Sequence, residues 1–227
     1  MPPETERPGA REARDPAAFI LRQTTVAAPP LVPELRLFLA TEVTPLWEAT
    51  EEALAEAGVP PPYWAFAWAG GQALARYVLD HPALVSGRRV LDFASGSGLV
   101  AIAAARAGAG EVTAADVDPF AGTAARLNAT LNGVSIAALQ EDLTARAGAG
   151  PWELILAGDV CYERAMTGRV LPWLRAQATA GAMVLIGDPG RAYCPEDGVE
   201  ELGRCEVPTS LDLEGRDARE TRILRLC

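Results

Sequence analysis

The chain contains no lysine, a single histidine and only four cysteines among its 227 residues. All 20 basic residues are therefore arginines, so the protein offers no lysine side chain of its own for modification. The histidine, His81, directly precedes a proline, and Cys161, Cys194, Cys205 and Cys227 show no C-x-x-C spacing. Because zinc and similar metals are held by closely spaced Cys and His pairs, we predict no metal site.

The chain also lacks long apolar runs and an excess of positive charge. No segment approaches the roughly 20 apolar residues of a membrane-spanning helix, and the charged, proline-rich N-terminus lacks the apolar stretch of a secretory signal. The net charge of −10 opposes binding to nucleic-acid phosphates and suits a basic protein partner. We therefore expect a cytoplasmic monomer that binds neither membranes nor nucleic acid.

The distribution of residue types predicts one domain preceded by a disordered lead-in at residues 1–18. Within the domain, residues 19–87 form an N-terminal cap and residues 88–227 form the core. Apolar residues at helical spacing from 34 to 57, among them Leu35, Phe38 and Leu39, predict two short helices separated by Pro45. A further helix is expected over residues 71–79.

From residue 88 onward, apolar strand patterns alternate with helical patterns. The predicted strands cover residues 90–93, 112–116, 135–139, 153–157, 183–187, 204–211 and 220–226, and the longest predicted helices cover 119–132 and 164–177. The last two strands alternate apolar and polar residues, as an antiparallel hairpin does. The pattern predicts a doubly wound α/β fold with a seven-strand, Rossmann-like sheet.

The segment VLDFASGSGL at residues 90–99 is a buried strand followed by a glycine-rich turn that opens a helix. Gly96 and Gly98 allow close approach of a ligand to the backbone, which is typical of sites for adenosine-containing cofactors. The spacing also fits the dinucleotide fingerprint, since Asp116 follows about 20 residues later. However, the Asp92 carboxylate would repel a pyrophosphate and attract an ammonium group. This favours S-adenosylmethionine, which has an ammonium group and no phosphate.

Acidic and small residues follow the other strands as well. Asp116 is placed to accept hydrogen bonds from both ribose hydroxyls, and Asp142 with the backbone of Leu143 could meet the adenine edge. Gly158 and Asp159 follow the fourth strand. Ligands of such sheets bind beyond the carboxyl ends of the strands, so we expect these residues to surround one site.

These features resemble the class I, seven-strand S-adenosylmethionine-dependent methyltransferases. The sequence GDVCY at 158–162 resembles the D-x-x-Y signature of a group of protein lysine methyltransferases. The segments PPYWAFAWAGGQALARYVLDHP, before the first core strand, and GDPGRAY at 187–193 are similar to the methyltransferases of the electron transfer flavoprotein beta subunit. One departure is Ala94, where the superfamily usually has glycine.

The resemblance implies roles for individual residues. Asp159 and Tyr162 would face the acceptor amine, and the cofactor pocket would be lined by Trp68, Ala94, Ser95, Gly96, Asp116, Leu143 and Gly158, in addition to Asp92, Gly98 and Asp142. The implied reaction is methylation of a protein lysine in a basic patch, on the electron transfer flavoprotein beta subunit, with ribosomal proteins as additional targets. A small-molecule amine methyltransferase, an NAD-dependent oxidoreductase and a non-catalytic binding module are the alternatives.

Overall fold

The N-terminal part of the chain forms a short helix and a two-stranded sheet. The computed structural model describes residues 15–41, 46, 60–146, 148, 150–210 and 214–227. Helix α1 (Pro16–Gln23) begins after Asp15, whose carboxylate accepts a hydrogen bond from the backbone N–H of Ala18 at 3.0 Å. Strand β1 (Thr25–Ala27) then pairs antiparallel with strand β2 (Leu37–Leu39). Thus α1 includes the last three residues assigned to the lead-in, and residues 1–14 lie outside the described residues.

The helical prediction around Leu35, Phe38 and Leu39 is wrong, because residues 37–39 are a strand. The side chains of Leu37 and Leu39 are buried, and the backbone N–H of Phe38 donates to Oδ1 of Asn128 at 2.7 Å. Strand pairing and a side-chain amide from a distant helix therefore satisfy the backbone that a local helix would have satisfied. Within the rest of the predicted helical segment, residues 42–45 and 47–57 lie outside the described residues.

The core contains the predicted seven-stranded sheet. Its strands are listed here in chain order: β3 (Arg89–Phe93), β4 (Glu111–Asp116), β5 (Ala137–Gln140), β6 (Leu154–Gly158), β7 (Met183–Asp188), β8 (Val199–Pro208) and β9 (Ala218–Leu226). The order across the sheet is β5-β4-β3-β6-β7-β9-β8. Strands β3 to β7 are parallel, and β9 pairs antiparallel with β7 and β8. The predicted fold class, including the antiparallel C-terminal hairpin, is confirmed.

Helices cover both faces of this sheet: α2 (Ala69–Asp80), α3 (Leu99–Arg106), α4 (Ala121–Leu131) and α5 (Arg164–Thr179). Alternate residues of β3 show the two faces. Val90 packs in a cluster with residues of α2 and α3, whereas Leu91 packs in a second cluster with Trp173 and Leu174 of α5. A parallel strand is apolar on both sides for this reason. None of the helices in the described part of the chain has the length and apolar character needed to span a membrane.

The start of α2 lies unusually close to the carboxyl ends of β6 and β7. A Cβ atom at Gly187 would lie 2.2 Å from the carbonyl oxygen of Gly70, and one at Gly158 would lie 2.8 Å from the amide nitrogen of Gly71. Glycine is therefore required at these contacts. The contact brings the first turn of α2 against the strand ends, where the predicted site residues are located.

Candidate functional site

A cavity of about 590 Å³ lies beyond the carboxyl ends of β3, β4 and β6. Eleven of the twelve predicted site residues line it: Trp68, Asp92, Ala94, Ser95, Gly96, Asp116, Asp142, Leu143, Gly158, Asp159 and Tyr162. The exception is Gly98, which lies beside the cavity and faces α4. The parallel register explains the grouping, because Phe93 pairs with Ala115 on one side and Ala157 on the other, so the three strands end at one edge.

The turn between β3 and α3 has an unusual backbone. Ala94, Gly96 and Gly98 have positive φ angles of 54°, 49° and 77°. At Gly98, a Cβ atom would also lie 2.7 Å from the Cβ of Ala125, so glycine is needed for both conformation and packing. Ala94 adopts the left-handed conformation without being glycine, which costs about 1–2 kcal/mol. The departure from glycine at this position therefore leaves strain in the turn and does not block it.

Asp92 is buried, and its carboxylate is engaged by the protein itself. One oxygen accepts a hydrogen bond from the backbone N–H of Ala101, in the first turn of α3, at 2.9 Å. Burial raises the pKa of Asp92 well above its usual value. Asp92 thus links the end of β3 to the start of α3 and is one of the residues that line the cavity.

Asp116 holds the glycine-rich turn in place from the neighbouring strand. Its Oδ2 accepts the backbone N–H of Gly96 at 2.9 Å, and its Oδ1 accepts that of Asp118 at 3.0 Å. Burial raises its pKa above the usual value. Because each carboxylate oxygen can accept two hydrogen bonds, Asp116 keeps acceptor capacity for ribose hydroxyls after making these contacts.

Asp142 and Leu143 form the wall next to β5. Leu143 is buried, whereas Asp142 lies at the rim of the cavity and accepts hydrogen bonds from the side chain of Thr144 at 2.6 Å and its backbone N–H at 3.0 Å. Arg169 is 3.2 Å from its other oxygen. The bonds from Thr144 and the charge of Arg169 lower the pKa of Asp142, so this carboxylate is ionised at neutral pH.

Aromatic side chains border the opposite side of the cavity. The indole N–H of Trp68 donates to the carbonyl oxygen of Tyr63 at 2.9 Å, and the rings of Tyr63 and Tyr162 have centroids 5.7 Å apart. Tyr63 and Tyr162 are 49% and 41% exposed, which places both rings at the mouth. Trp64 instead stacks on Phe120 and is fully buried, with only part of its surface at the cavity. The aromatic segment therefore has a core face and a site face.

Asp159 follows β6 directly and has a positive φ of 55°, a strained conformation for a residue with a side chain. Its Oδ2 accepts the backbone N–H of Gly71, in the first turn of α2, at 3.0 Å. Its Oδ1 pairs with the guanidinium of Arg191, at 2.7 Å from Nη2 and 3.2 Å from Nε. Burial raises the pKa of Asp159 to about 6, and Arg191 opposes that shift.

Arg191 and Glu214 are site residues that the sequence analysis missed. The Arg191 guanidinium also donates to both carboxylate oxygens of Glu214, at 3.0 and 2.9 Å, and lies 6.0 Å from the centroid of the Trp68 ring. The sequence GDPGRAY contains Arg191 directly after β7, so its position at a strand end was a usable signal. Glu214 lies before β9, where nothing in the sequence indicated a site.

Comparison with known proteins identifies the chain. It is 43% identical over 187 residues to the electron transfer flavoprotein beta subunit lysine methyltransferase of Xenopus laevis, covering 82% of this chain and 75% of the relative. The Danio rerio protein of the same name is 36% identical over 213 residues, covering 91% and 81%. The chain belongs to the electron transfer flavoprotein beta subunit lysine methyltransferase family. The predicted class, a methyltransferase that uses S-adenosylmethionine, is confirmed by this membership.

More distant matches agree with the fold. A family model described as ribosomal protein L11 methyltransferase (PrmA) matches residues 73–158. The crystal structure of the ribosomal protein L11 methylase from Lactobacillus delbrueckii subsp. bulgaricus is similar with a TM-score of 0.51 and 24% identity, covering 70% of this chain and 79% of that one. The family-model match includes the glycine-rich turn and the strands that surround the cavity, and the structural match agrees with the fold.

The cavity of this family member fits S-adenosylmethionine. Gly96 presents backbone without a side chain to the cavity that it lines, and an added Cβ would lie in van der Waals contact with the backbone of Tyr63 and Trp64, at 3.7 Å. Asp116 supplies acceptors for hydroxyl groups, and Asp92 supplies a carboxylate for an ammonium group. Leu143 and Val117 supply apolar surface for a flat ring. These acceptors and apolar surfaces therefore suit the hydroxyl groups, the ammonium group and the adenine ring of the cofactor.

Proposed function

We propose that this protein methylates a lysine of the electron transfer flavoprotein beta subunit. The observation that carries the proposal is that Asp159 and Tyr162, the first and last residues of the D-x-x-Y sequence, both line a cavity that suits S-adenosylmethionine. The names of the relatives at 43% and 36% identity support the choice of substrate. Family membership favours this reading over an oxidoreductase or a non-catalytic module.

In this proposal, the cofactor end of the cavity consists of Asp92, the turn at residues 94–98 and Asp116, together with Trp68, Asp142, Leu143 and Gly158. Asp116 holds the ribose, Asp92 pairs with the ammonium group, and Asp142 with Leu143 receives the adenine. Gly98 takes part indirectly, because its contact with Ala125 keeps the turn close to α4. When bound, S-adenosylmethionine supplies an electrophilic methyl group on a sulfonium.

The acceptor end consists of Asp159, Tyr162, Arg191 and Glu214. Asp159 attracts the lysine ammonium into the cavity, and Tyr162 orients the nitrogen by a hydrogen bond or by its ring face. Burial raises the pKa of Tyr162 to about 12, so its phenol stays neutral at physiological pH. No strong general base is needed, because a neutral amine held close to the methyl group is already a nucleophile.

The rim of the cavity supports a basic substrate. Four acidic residues line it outside the buried strand ends: Asp118, Glu141, Asp142 and Glu163. Together with the net charge of −10, they would attract a lysine that lies within a basic patch. We include ribosomal proteins among the candidate additional substrates, since the L11 methyltransferase family model matches residues 73–158.

The direct test is incubation of the purified protein with tritiated S-adenosylmethionine and the purified electron transfer flavoprotein of its host. We expect label on the beta subunit, with the added mass on lysine by mass spectrometry. The chain is a clean catalyst for this assay because it contains no lysine that could accept label. Asp159→Ala protein serves as the matched control. A parallel incubation uses a host lysate. An unlabelled beta subunit, with label on a different protein of the lysate or only in its small-molecule fraction, would contradict the proposed substrate.

The remaining expectations belong to the same proposal. The protein acts as a monomer in the cytoplasm, without nucleic acid as a partner, and residues 19–227 work as one domain with a cap at 19–87 and a core at 88–227. Size-exclusion chromatography with light scattering tests the monomer, with a doubled mass as the contradicting result. Limited proteolysis tests the domain boundary, since a single stable fragment that retains α1, which begins at Pro16, is expected.

A further inference from the structure

The carboxylate proposed to receive the substrate ammonium already has a cationic partner. Arg191 pairs with Asp159 at 2.7 Å and with Glu214 at 2.9 Å through the same nitrogen, Nη2. The three side chains are well shielded, with 10% of Asp159, 18% of Arg191 and 1% of Glu214 exposed. In such surroundings, charges interact more strongly than they do in water. The guanidinium is permanently charged, so it influences any second cation that approaches Asp159.

Other groups around this cluster hold it in place or stay neutral. The backbone N–H of Arg191 donates to Oδ1 of Asp188 at 2.7 Å, which fixes the loop after β7. On the far side, Nε of Arg219 lies 3.6 Å from Glu214. A hydrogen bond with Cys194 and burial raise the pKa of the Cys161 thiol, and Tyr162 is a neutral phenol. The charged side chains that form this cluster and its immediate surroundings are Asp159, Asp188, Arg191, Glu214 and Arg219.

The proposed reaction needs the acceptor lysine as a neutral amine, although a free lysine has a pKa of about 10.4. An unpaired buried carboxylate beside the nitrogen would stabilise the ammonium form and raise that pKa. A guanidinium bound to the same carboxylate has the opposite effect, because it cancels the negative charge and repels a second cation. The balance between these two charges sets how readily the bound lysine loses its proton.

We propose that Arg191 is a positioning residue that neutralises Asp159 and thereby favours the uncharged amine form of the acceptor lysine. Glu214 moderates this effect, because it shares the guanidinium with Asp159 and adds a second negative charge. The inference rests on the proposed function, since it assigns Asp159 to the acceptor end. It explains why a carboxylate used for recruiting a cation is not left free in the protein.

The test compares Arg191→Gln with Glu214→Gln by measuring kcat/KM for the beta subunit between pH 6 and 10. Both substitutions break the same Arg191–Glu214 pair but change the charge in opposite directions. We expect Arg191→Gln to move the rise of kcat/KM with pH to higher pH by about one unit. At neutral pH this is a roughly tenfold loss of kcat/KM, and the loss disappears at high pH. Glu214→Gln should move the rise to lower pH. Equal losses at every pH in both variants would assign Arg191 a structural role and overturn the proposal.

A second readout does not depend on activity. Carboxyl-carbon NMR of the isolated protein can follow the titration of Asp159, whose pKa lies at about 6. Arg191→Gln should raise that pKa and Glu214→Gln should lower it. If wild-type protein labels no lysine, the proposed function fails, while this titration still decides whether Arg191 controls the charge of Asp159. The inference would be refuted if the pKa of Asp159 shifted in the same direction in both variants, or did not shift in either.

Discussion

The two ends of the cavity use acidic residues in different ways. At the cofactor end, the carboxylates of Asp92 and Asp116 bind backbone N–H groups of Ala101, Gly96 and Asp118. At the acceptor end, Asp159 binds one backbone N–H and the guanidinium of Arg191. The first arrangement spans residues 92–118, whereas the second joins residues that are far apart in the chain.

The carboxylates bound to backbone make the first arrangement rigid, whereas the carboxylate paired with arginine has an adjustable charge. A carboxylate that accepts backbone hydrogen bonds fixes the course of a turn, which suits a cofactor of constant shape. The Asp159 carboxylate is paired with Arg191, which lies in the loop after β7. The net charge that Asp159 presents to a substrate therefore depends on this second side chain. In our proposal, the acceptor end therefore tunes the protonation of the substrate lysine, while the cofactor end positions S-adenosylmethionine.

The largest effect is expected from Asp159→Ala, which removes the carboxylate of the acceptor end. Methyl transfer should fall by at least about 100-fold, because the amine is no longer held in line, while affinity for S-adenosylhomocysteine stays within a few-fold. Radiometric assay and calorimetric titration measure the two quantities. Asp159→Asn is the control that keeps an acceptor for the N–H of Gly71. Normal turnover in Asp159→Ala would remove Asp159 from the acceptor end.

At the cofactor end, Gly98→Ala should lower the free energy of unfolding by about 2–4 kcal/mol, the sum of left-handed backbone strain and overpacking against Ala125. Gly87→Ala is the matched control, because Gly87 has a similar φ of 70° and no atom within 4 Å of an added Cβ. It should cost only the backbone term of about 1–2 kcal/mol. Urea unfolding measures both, and equal losses would show that the contact with Ala125 is unimportant.

Asp116→Ala should weaken binding of S-adenosylhomocysteine by about 1.5–3 kcal/mol, the range for hydrogen bonds to a charged group. The loss includes the ribose contacts and the support of Gly96 by Oδ2. Isothermal titration calorimetry gives the affinity. Asp142→Ala, at the exposed rim, is expected to have a smaller effect. If the two variants lost affinity equally, the buried carboxylate would have no special importance for the cofactor end.

The smallest effect concerns pH and Asp118. Burial raises the pKa of Asp118 to about 6, whereas an unfolded aspartate titrates near 3.9, so unfolding between about pH 4 and 6 releases a proton. Wild-type stability should therefore fall as pH rises through this window. Asp118→Asn should make that fall shallower by about 1 kcal/mol or less per pH unit. Denaturant unfolding at pH 4, 5 and 6 measures the slope, and an unchanged slope would contradict the raised pKa.

Sequence patterns were sufficient for the strands of the core and for the residues that line the cavity at the strand ends. Strands β3, β6 and β7 were predicted because they are apolar on both faces. The turn at 94–98 was predicted because its glycines and the acidic residues near it are close in sequence. Boundaries shifted where burial is incomplete, as at β5, which covers Ala137–Gln140 and not 135–139. The helix expected at Leu37 failed because pairing with β1 and the amide of Asn128 outweighed local periodicity.

The sequence by itself determined the class of fold, the residues at the strand ends and the cofactor type, because each depends on short-range spacing of apolar, glycine and acidic residues. Only the tertiary structure decided how the acceptor end is charged. Arg191 and Glu214 reach Asp159 from after β7 and before β9, and β9 lies next to β7 only because the C-terminal hairpin folds back antiparallel. Pairing between strands that are distant in the chain leaves no periodic signal, so this contact had to be seen in three dimensions.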